Sequence, residues 1–523
     1  MEHRITRSAG VVGAATLLSR ILGMVRDILT ASFFGTGLAL SAFVVAFTIP
    51  NLFRKLLGEG PLTGAFVPVF TEYLEKKGIK EGWRVASIIC SLLMIILAGA
   101  VLAGWAMISL ALNTLSLSDK FLLVLRLLRI MLPHLFFICL VGISMGILNS
   151  LRHFAVPALA PVVLNLVWIA SLFFLCPRFG NTPEKKIFGL AVGIVIGGII
   201  ELGIQMLVLK RKGFPFEFIP DWRDPAVKKI ALLMGPGILG LAVFQINTAV
   251  DQFLAMVIGA GAPAALFYGN RLVQFPLGVF GLAFATAALP EMSRLMARDR
   301  IEEFKAVFSH ALRNVLLIMV PATVGLIVLR RPVIQLLFQR KAFGADSTEA
   351  TAWVLLFYSL GLPAFAGLKI VTQGFYSCQD TRTPVKVGFS AMLLNLALNL
   401  AVVFTPWLRV NLREGGLALS TSLAAFVNAG VLYYLFRKRL GRIRGKEMLS
   451  FLIRLCCASL LMGAACSLSL SFLEGRLSGA RLGERAVLVG VPMAAALIAF
   501  SIGLIVFQID EARDLLRALK RKR

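Results

Sequence analysis

Ser19-Arg20-Ile21-Leu22-Gly23-Met24-Val25-Arg26-Asp27, followed by Pro50-Asn51-Leu52-Phe53-Arg54-Lys55, places arginines inside otherwise apolar sequence. Arginine at the centre of a membrane helix costs about 2.5–3.5 kcal/mol on insertion scales, so such residues normally face a watery cavity. Arg20 and Asp27 stand about two helical turns apart and share a face. Arg26 lies about 120° round from Arg20, which suits a broad cavity better than a narrow seam. Snorkelling, or neutralisation by Asp27, accounts for one of these arginines. Arg20, Arg26 and Arg54 together exceed the single carboxylate close to them, and the excess charge calls for an anionic visitor.

The rest of the chain has the same character. Its 523 residues are 58% hydrophobic, with a mean hydropathy of +0.84, which excludes a soluble enzyme. Apolar runs of about 20 residues recur along the length, as an all-α polytopic membrane protein requires, and no alternating strands of an outer-membrane barrel are visible. The net charge of +27 would suggest nucleic acid in a soluble protein. Here Lys and Arg gather in the loops between spans, where topology and anionic membrane lipids explain them, so no nucleic-acid partner is expected. The seven cysteines and four histidines show no metal-ligand spacing and no disulfide framework.

Hydropathy predicts about fourteen spans, near 9–33, 38–57, 85–112, 122–149, 154–176, 187–209, 230–258, 264–290, 307–329, 350–377, 385–406, 416–436, 449–473 and 486–507. One set of loops is rich in charge: Lys76, Lys77 and Lys80, Lys210-Arg211-Lys212, Arg294 to Arg300, Arg437-Lys438-Arg439 and the tail Lys520-Arg521-Lys522-Arg523. The positive-inside rule puts that side, and with it both termini, in the cytoplasm. Met1-Glu2-His3-Arg4 leads straight into an apolar helix with no small-residue cleavage site, and is expected to be retained.

An internal repeat divides the chain. Asp27, Gly35, Gly37 and Phe43 recur at identical spacing as Asp251, Gly259, Gly261 and Phe267, an offset of 224 residues. Pro68 parallels Pro290, and Gly146, Pro157 and Asn165 find a looser echo in Gly374, Pro384 and Asn395. The offset covers six spans, an even number, so the copies share orientation. Two parallel six-helix repeats form two lobes with a cleft between them, and two extra C-terminal helices lie outside the repeat. The expected division is 1–220 for the first lobe, 221–440 for the second and 441–523 for the remaining two spans with the basic tail. The repeat sets Arg271 opposite Arg20, Arg26 and Arg54 across that cleft.

Ser19 to Asp27, Pro50-Asn51-Leu52-Phe53-Arg54 with Glu59-Gly60, Gln379-Asp380-Thr381-Arg382-Thr383-Pro384 and the fourteen-span plan resemble the MurJ/MviN family over essentially the whole chain. Those are lipid II flippases of the multidrug/oligosaccharidyl-lipid/polysaccharide exporter superfamily. The resemblance implies movement of the undecaprenyl-pyrophosphate-linked peptidoglycan precursor from the inner to the outer leaflet of the bacterial cytoplasmic membrane. It also implies a central cationic cavity, with Arg20, Arg26, Arg54 and Arg271 as its arginines, and a lipid-tail groove built from the extra helices. Ser41, Thr48 and Asn270 depart from residues common in the family.

The chemistry agrees with that reading. A diphosphate brings about two negative charges, and guanidinium forks meet phosphate oxygens bidentately while staying charged. Asp27 would hold Arg26 or Arg271 while the cavity is empty, and Glu59 either gates its mouth or ends a helix at a turn. No nucleotide motif is present, so an ion gradient or the membrane potential must bias transport. Asp251, Asn395, Asn399 and Thr421 form a candidate sodium site resembling that of some relatives, although Asn399 stands where those carry Asp. Interhelical polar packing is the bland alternative for the same residues. No other cofactor and no firm metal site is expected, and the protein is expected to act as a monomer. Asp221-Trp222-Arg223-Asp224 has the spacing of a magnesium-diphosphate motif but reads as a solvated turn. Two rivals remain open. A multidrug or cation antiporter of the same superfamily would be expected to need acidic cavity walls. A membrane enzyme acting on polyprenyl diphosphates would need an acid/base or metal constellation.

Overall fold

The computed structural model describes residues 2–441, 445–477, 479–509 and 511, without the side chains of residues 2–9, 11, 58, 59, 236, 239, 240, 243 and 244. Among the described residues the chain is helical throughout and holds no strand. Packing divides it into two compact units, Met1–Met256 and Val257–Arg523.

The first unit carries α1 (Glu2–Phe34), α2 (Leu38–Phe53), α3 (Pro61–Lys77), α4 (Ile79–Thr114), α5 (Asp119–Ser150), α6 (Ala155–Phe174), α7 (Pro183–Arg211) and most of α8 (Pro225–Ile258). Helix α5 is its centre, packed by α2, α3, α4 and α7, while α1 lies along α6. Phe66 and Phe70 of α3, Trp83 and Val85 of α4 and Ile143 and Ile147 of α5 meet in one buried apolar cluster.

The second unit repeats this order with α9 (Ala262–Pro276), α10 (Leu282–Ala297), α11 (Ile301–Val328), α12 (Arg330–Leu337), α13 (Ala345–Leu360), α14 (Leu362–Ser377), α15 (Arg382–Phe404), α16 (Pro406–Leu412) and α17 (Gly415–Leu440). The two extra helices, α18 (Gly445–Glu474) and α19 (Leu482–Val506), pair with each other. Helix α18 also lies on α11, and α19 on α12. Leu329, Met462, Cys466, Leu470, Leu488 and Ala496 form the buried core of that junction.

The duplication is written into the backbone. Shifting the start of α2, Leu38, by the 224 residues between Asp27 and Asp251 gives Ala262, where α9 begins. Both copies then break into a π-helical turn at nearly the same register, Arg54–Glu59 in the first and Leu277–Gly281 in the second. Such turns mark functional positions in helices more often than chance allows. The counterpart of α5 is split into α13 and α14 at Gly361, ahead of Pro363, which has no N–H to continue a helix. A Cβ on Gly361 would lie 2.5 Å from the Ser422 hydroxyl oxygen, so only glycine lets α17 come this close.

Among the described residues twelve segments are long and apolar enough to cross a membrane, and α1 and α8, of 33 and 34 residues, hold the places of the first and seventh predicted spans. The expected all-α plan of about fourteen spans therefore holds. Helix ends differ from the hydropathy limits because amphipathic turns extend the apolar cores. Helix α4 starts at Ile79 rather than 85, carrying Lys80, Glu81 and Arg84. The chain also stays helical after the predicted second span, through α3, and α12 and α16 are short helices between spans. Asp221 to Asp224 form a turn: the Arg223 N–H donates to Asp221 Oδ1 at 2.9 Å, and the Ala226 N–H to Asp224 Oδ1 at 2.8 Å, capping α8.

Candidate functional site

Arg26 and Asp27 sit in the second half of α1, on the part that lies along α6. Asp27 is buried, and the Arg26 side chain is only 11% exposed. Nε and Nη2 of Arg26 donate to the same oxygen, Asp27 Oδ1, at 3.0 and 2.7 Å. Nη1 donates across to Asn165 Oδ1 on α6 at 3.0 Å. The guanidinium plane lies over the Trp168 ring, 4.5 Å from its centroid. A guanidinium offers five N–H donors, and these bonds engage three of Arg26's, leaving two at its terminal nitrogens without an acceptor among the described residues.

The partners are themselves fixed. Asn165 Nδ2 donates to the Ser19 carbonyl at 3.1 Å, and Trp168 Nε1 to the Thr30 hydroxyl at 3.0 Å. Thr30 in turn donates to the Arg26 carbonyl at 2.7 Å, closing a ring of bonds between α1 and α6. Phe43 and Phe47 of α2 pack edge-on to Trp168, at centroid distances of 5.3 and 5.9 Å. A charged group held on three sides keeps its orientation whether or not a ligand is bound, which is what preorganised recognition requires.

Arg54 is the first residue of the π-helical turn. Its Nε and Nη2 donate to Asn51 Oδ1, three residues back, at 3.0 and 2.9 Å. The turn closes at Gly60, whose Cβ, if present, would lie 2.7 Å from the Lys55 carbonyl oxygen and 2.9 Å from Leu241 Cδ1. Glycine is therefore required to end the turn that positions Arg54. Arg20 is exposed and makes no hydrogen bond or ion pair among the described residues. The Glu59 side chain lies outside the described residues. Arg271, in the second unit, is half-buried, with its guanidinium carbon 5.7 Å from the Phe267 ring centroid.

The residues singled out for a cation are placed as follows. Asn247 Nδ2 lies 3.5 Å from Asp251 Oδ2, one turn apart on α8, in the first unit. Asn395 and Asn399 are buried on α15 in the second unit, and the Thr421 hydroxyl on α17 donates to the Leu417 carbonyl at 3.0 Å. No group of three or more His, Cys, Asp or Glu is placed to hold a metal ion among the described residues.

Sequence reasoning names Arg26 and Asp27 but not Trp168 or Thr30, and it uses Asn165 only as a repeat marker. The signal was present: Asn165 and Trp168 lie three apart, on one face of an otherwise apolar helix. Arg129 lies 4.0 Å from the Trp105 ring centroid, and His134 is buried.

The comparisons with known proteins point the same way. A solved structure described as "Lipid II flippase MurJ, inward closed conformation" superposes with a TM-score of 0.77 at 24% identity, covering 97% of this chain and 99% of that one. An inward-facing multidrug resistance MATE family transporter of the MOP superfamily gives 0.67 at 16% identity, over 84% of this chain and 99% of that one. Both show the shared fold. A "Probable lipid II flippase MurJ" of Vibrio cholerae serotype O1 is 37% identical over 447 residues, 83% of each chain. With the family model described as "Lipid II flippase MurJ" matching residues 30–480, the chain belongs to the lipid II flippase MurJ family.

Proposed function

We propose that the protein flips lipid II across the bacterial cytoplasmic membrane by alternating access, with the diphosphate held by Arg26, Arg54, Arg271 and Arg20. The observation that carries this reading is the Arg26 guanidinium. It is fixed by Asp27, Asn165 and Trp168 and keeps two N–H donors on its terminal nitrogens. A phosphate oxygen accepts such a fork without any rearrangement of the site. Neutralising part of the charge with Asp27 lowers the cost of holding the empty state, and the anion completes the neutralisation.

In this reading both termini face the cytoplasm, the protein works as a monomer, and residues 1–220 and 221–440 move as the two lobes. The extra helices α18 and α19 cradle the polyprenyl tail. Asp251, with Asn395, Asn399 and Thr421, takes up sodium or senses the membrane potential and resets the lobes. The multidrug antiporter reading is disfavoured by the cavity's sign: an arginine fixed in the wall repels a cationic drug.

The test is leaflet-resolved lipid II in cells depleted of the protein and supplied with variants. Arg26→Ala, Arg54→Ala and Arg271→Ala should each leave lipid II in the inner leaflet while the protein reaches the membrane. Lys at these positions restores charge without the fork, and should restore transport only in part. Normal translocation by all three Ala variants overturns the proposal. Asp251→Asn is assayed separately against imposed sodium gradients and membrane potential. A response to both like that of the native protein removes Asp251 from coupling.

A further inference from the structure

A second charged site lies wholly within the second unit. Helix α11 ends at Val328 and α18 at Glu474, and between these ends is a cavity of about 320 Å³. Its floor is apolar, with Leu470 and Val328 belonging to the core that joins α18 to α11. Its rim is polar: Arg330 and Arg331 at the start of α12, and Ser467, Ser471 and Glu474 along α18. The three α18 residues fall at i, i+4 and i+7, one stripe of a helix face.

The charges on the rim are unequal in availability. Arg331 is engaged, its Nε and Nη2 donating to Glu349 Oε2 at 3.1 and 2.8 Å. Arg330 is half-buried and gives only Nη1, to the Ile327 carbonyl at 2.7 Å. Its remaining N–H groups have no acceptor among the described residues. Glu474 and the hydroxyls of Ser467 and Ser471 are exposed and likewise show no hydrogen bond among the described residues. A half-buried guanidinium and an exposed carboxylate therefore line one cavity that also takes in Val328 and Leu470, at the level where two membrane helices run out.

We propose that this cavity binds the headgroup of a zwitterionic phospholipid, its phosphate on Arg330 and its primary ammonium on Glu474. Two available charges of opposite sign match a headgroup carrying both signs, whereas an anionic headgroup would meet the Glu474 carboxylate. The serine hydroxyls can bridge to phosphate or glycerol oxygens, and the apolar floor continues into the acyl chains. The space equals roughly ten water volumes at about 30 Å³ each, enough for a headgroup with its bridging waters. A lipid seated there would tie α18 to α11 and α12. The inference is independent of the arginines on α1 and of lipid II.

The test uses the full-length protein in detergent, exchanged into mixed micelles of phosphatidylethanolamine and phosphatidylglycerol, with retained lipid counted by native mass spectrometry. The native protein should retain phosphatidylethanolamine over phosphatidylglycerol. Arg330→Gln should lower that retention about tenfold, the worth of one hydrogen bond to a charged group. Glu474→Gln should keep a lipid but shift the preference toward phosphatidylglycerol. It stands as the second variant should Arg330→Gln fold poorly, as judged by its elution and thermal unfolding. Inorganic phosphate and soluble glycerophosphoethanolamine serve as competitors. Competition by glycerophosphoethanolamine alone supports the headgroup assignment, and equal competition by phosphate assigns the site to a free anion and overturns it. Equal retention of both lipids by the native protein, or unchanged preference in Glu474→Gln, also overturns it.

Discussion

Arg26 on α1 and Asn165 on α6 are joined side chain to side chain, guanidinium Nη1 to carboxamide Oδ1, at 3.0 Å and across 139 residues of sequence. That bond, with Asp27 on one edge and Trp168 beneath, fixes where the fork of Arg26 points. The direction of the fork then depends on how α1 lies along α6, so the aim of this guanidinium and the packing of the helix pair are one device.

Asn165→Leu should uncouple the two. It removes the acceptor of a charge-assisted bond worth about 1.5–3 kcal/mol, which converts to about 10- to 100-fold. Lipid II translocation should fall by that order, with membrane insertion intact. Asn165→Asp keeps an acceptor but adds a negative charge beside Arg26, and should also impair transport. Transport assays at matched expression decide, and native rates in both variants would leave Asn165 a packing residue.

Gly60→Ala tests the π-helical turn. The new Cβ would meet the Lys55 carbonyl oxygen at 2.7 Å, and backbone cannot yield as a flexible side chain does. Overpacking of this kind costs about 1–3 kcal/mol. A lowered unfolding temperature with loss of transport is expected, because the turn carries Arg54. Gly64→Ala, whose Cβ would meet nothing within 4 Å, is the matched control and should be near neutral.

Acid stability should report Asp380, in the turn between α14 and α15. Burial works to raise its pKa. The opposing bonds win: the Thr383 N–H and hydroxyl donate to it at 3.0 and 2.7 Å, and Arg439 Nη1 from α17 at 2.9 Å. The folded carboxyl is thereby held below its ordinary value of 3.8. The stabilisation is complete above that unfolded value and is lost as pH falls below it, through the folded pKa. Thermal unfolding between pH 6 and 3 should show the loss in the native protein, and Asp380→Asn should show less of it.

The seam between the extra helices and the repeat is tested at Gly463. A Cβ there would lie 2.6 Å from Val324 Cγ1, so Gly463→Leu should pry α18 from α11 and lower the unfolding temperature. Met462→Ala, which opens the same seam without wedging it, should cost about 2–5 kcal/mol of stability. A tail groove that needs α18 seated on α11 predicts lost transport in Gly463→Leu even where the protein is inserted. Full transport in that variant would separate α18 from the mechanism.

Much was legible in the chain itself. Apolar runs of membrane length forced an all-helical, multi-span protein, since no other backbone satisfies its hydrogen bonds in hydrocarbon without closing a barrel. The spacing from Asp27 to Phe43, repeated from Asp251 to Phe267, announced a duplication that the paired π-helical turns repeat in the backbone. The cost of an arginine in apolar sequence by itself singled out Arg26 and Arg54 as candidates. Helix ends were misjudged at Ile79 and after the second span, because hydropathy follows the apolar core and not the amphipathic turns that continue it.

Sequence by itself thus determined the spans, the repeat and the presence of excess positive charge, because each follows from local composition or from spacing along one chain. It could not determine that Asn165 and Trp168 join Asp27 in holding Arg26, nor that Arg330 and Glu474 rim one cavity. Asn165 lies 139 residues from Arg26, and Glu474 belongs to a helix outside the repeat that holds Arg330. Such partnerships arise only when helices pack, because a hydrogen bond is made or lost within a few tenths of an ångström. Packing alone sets that distance.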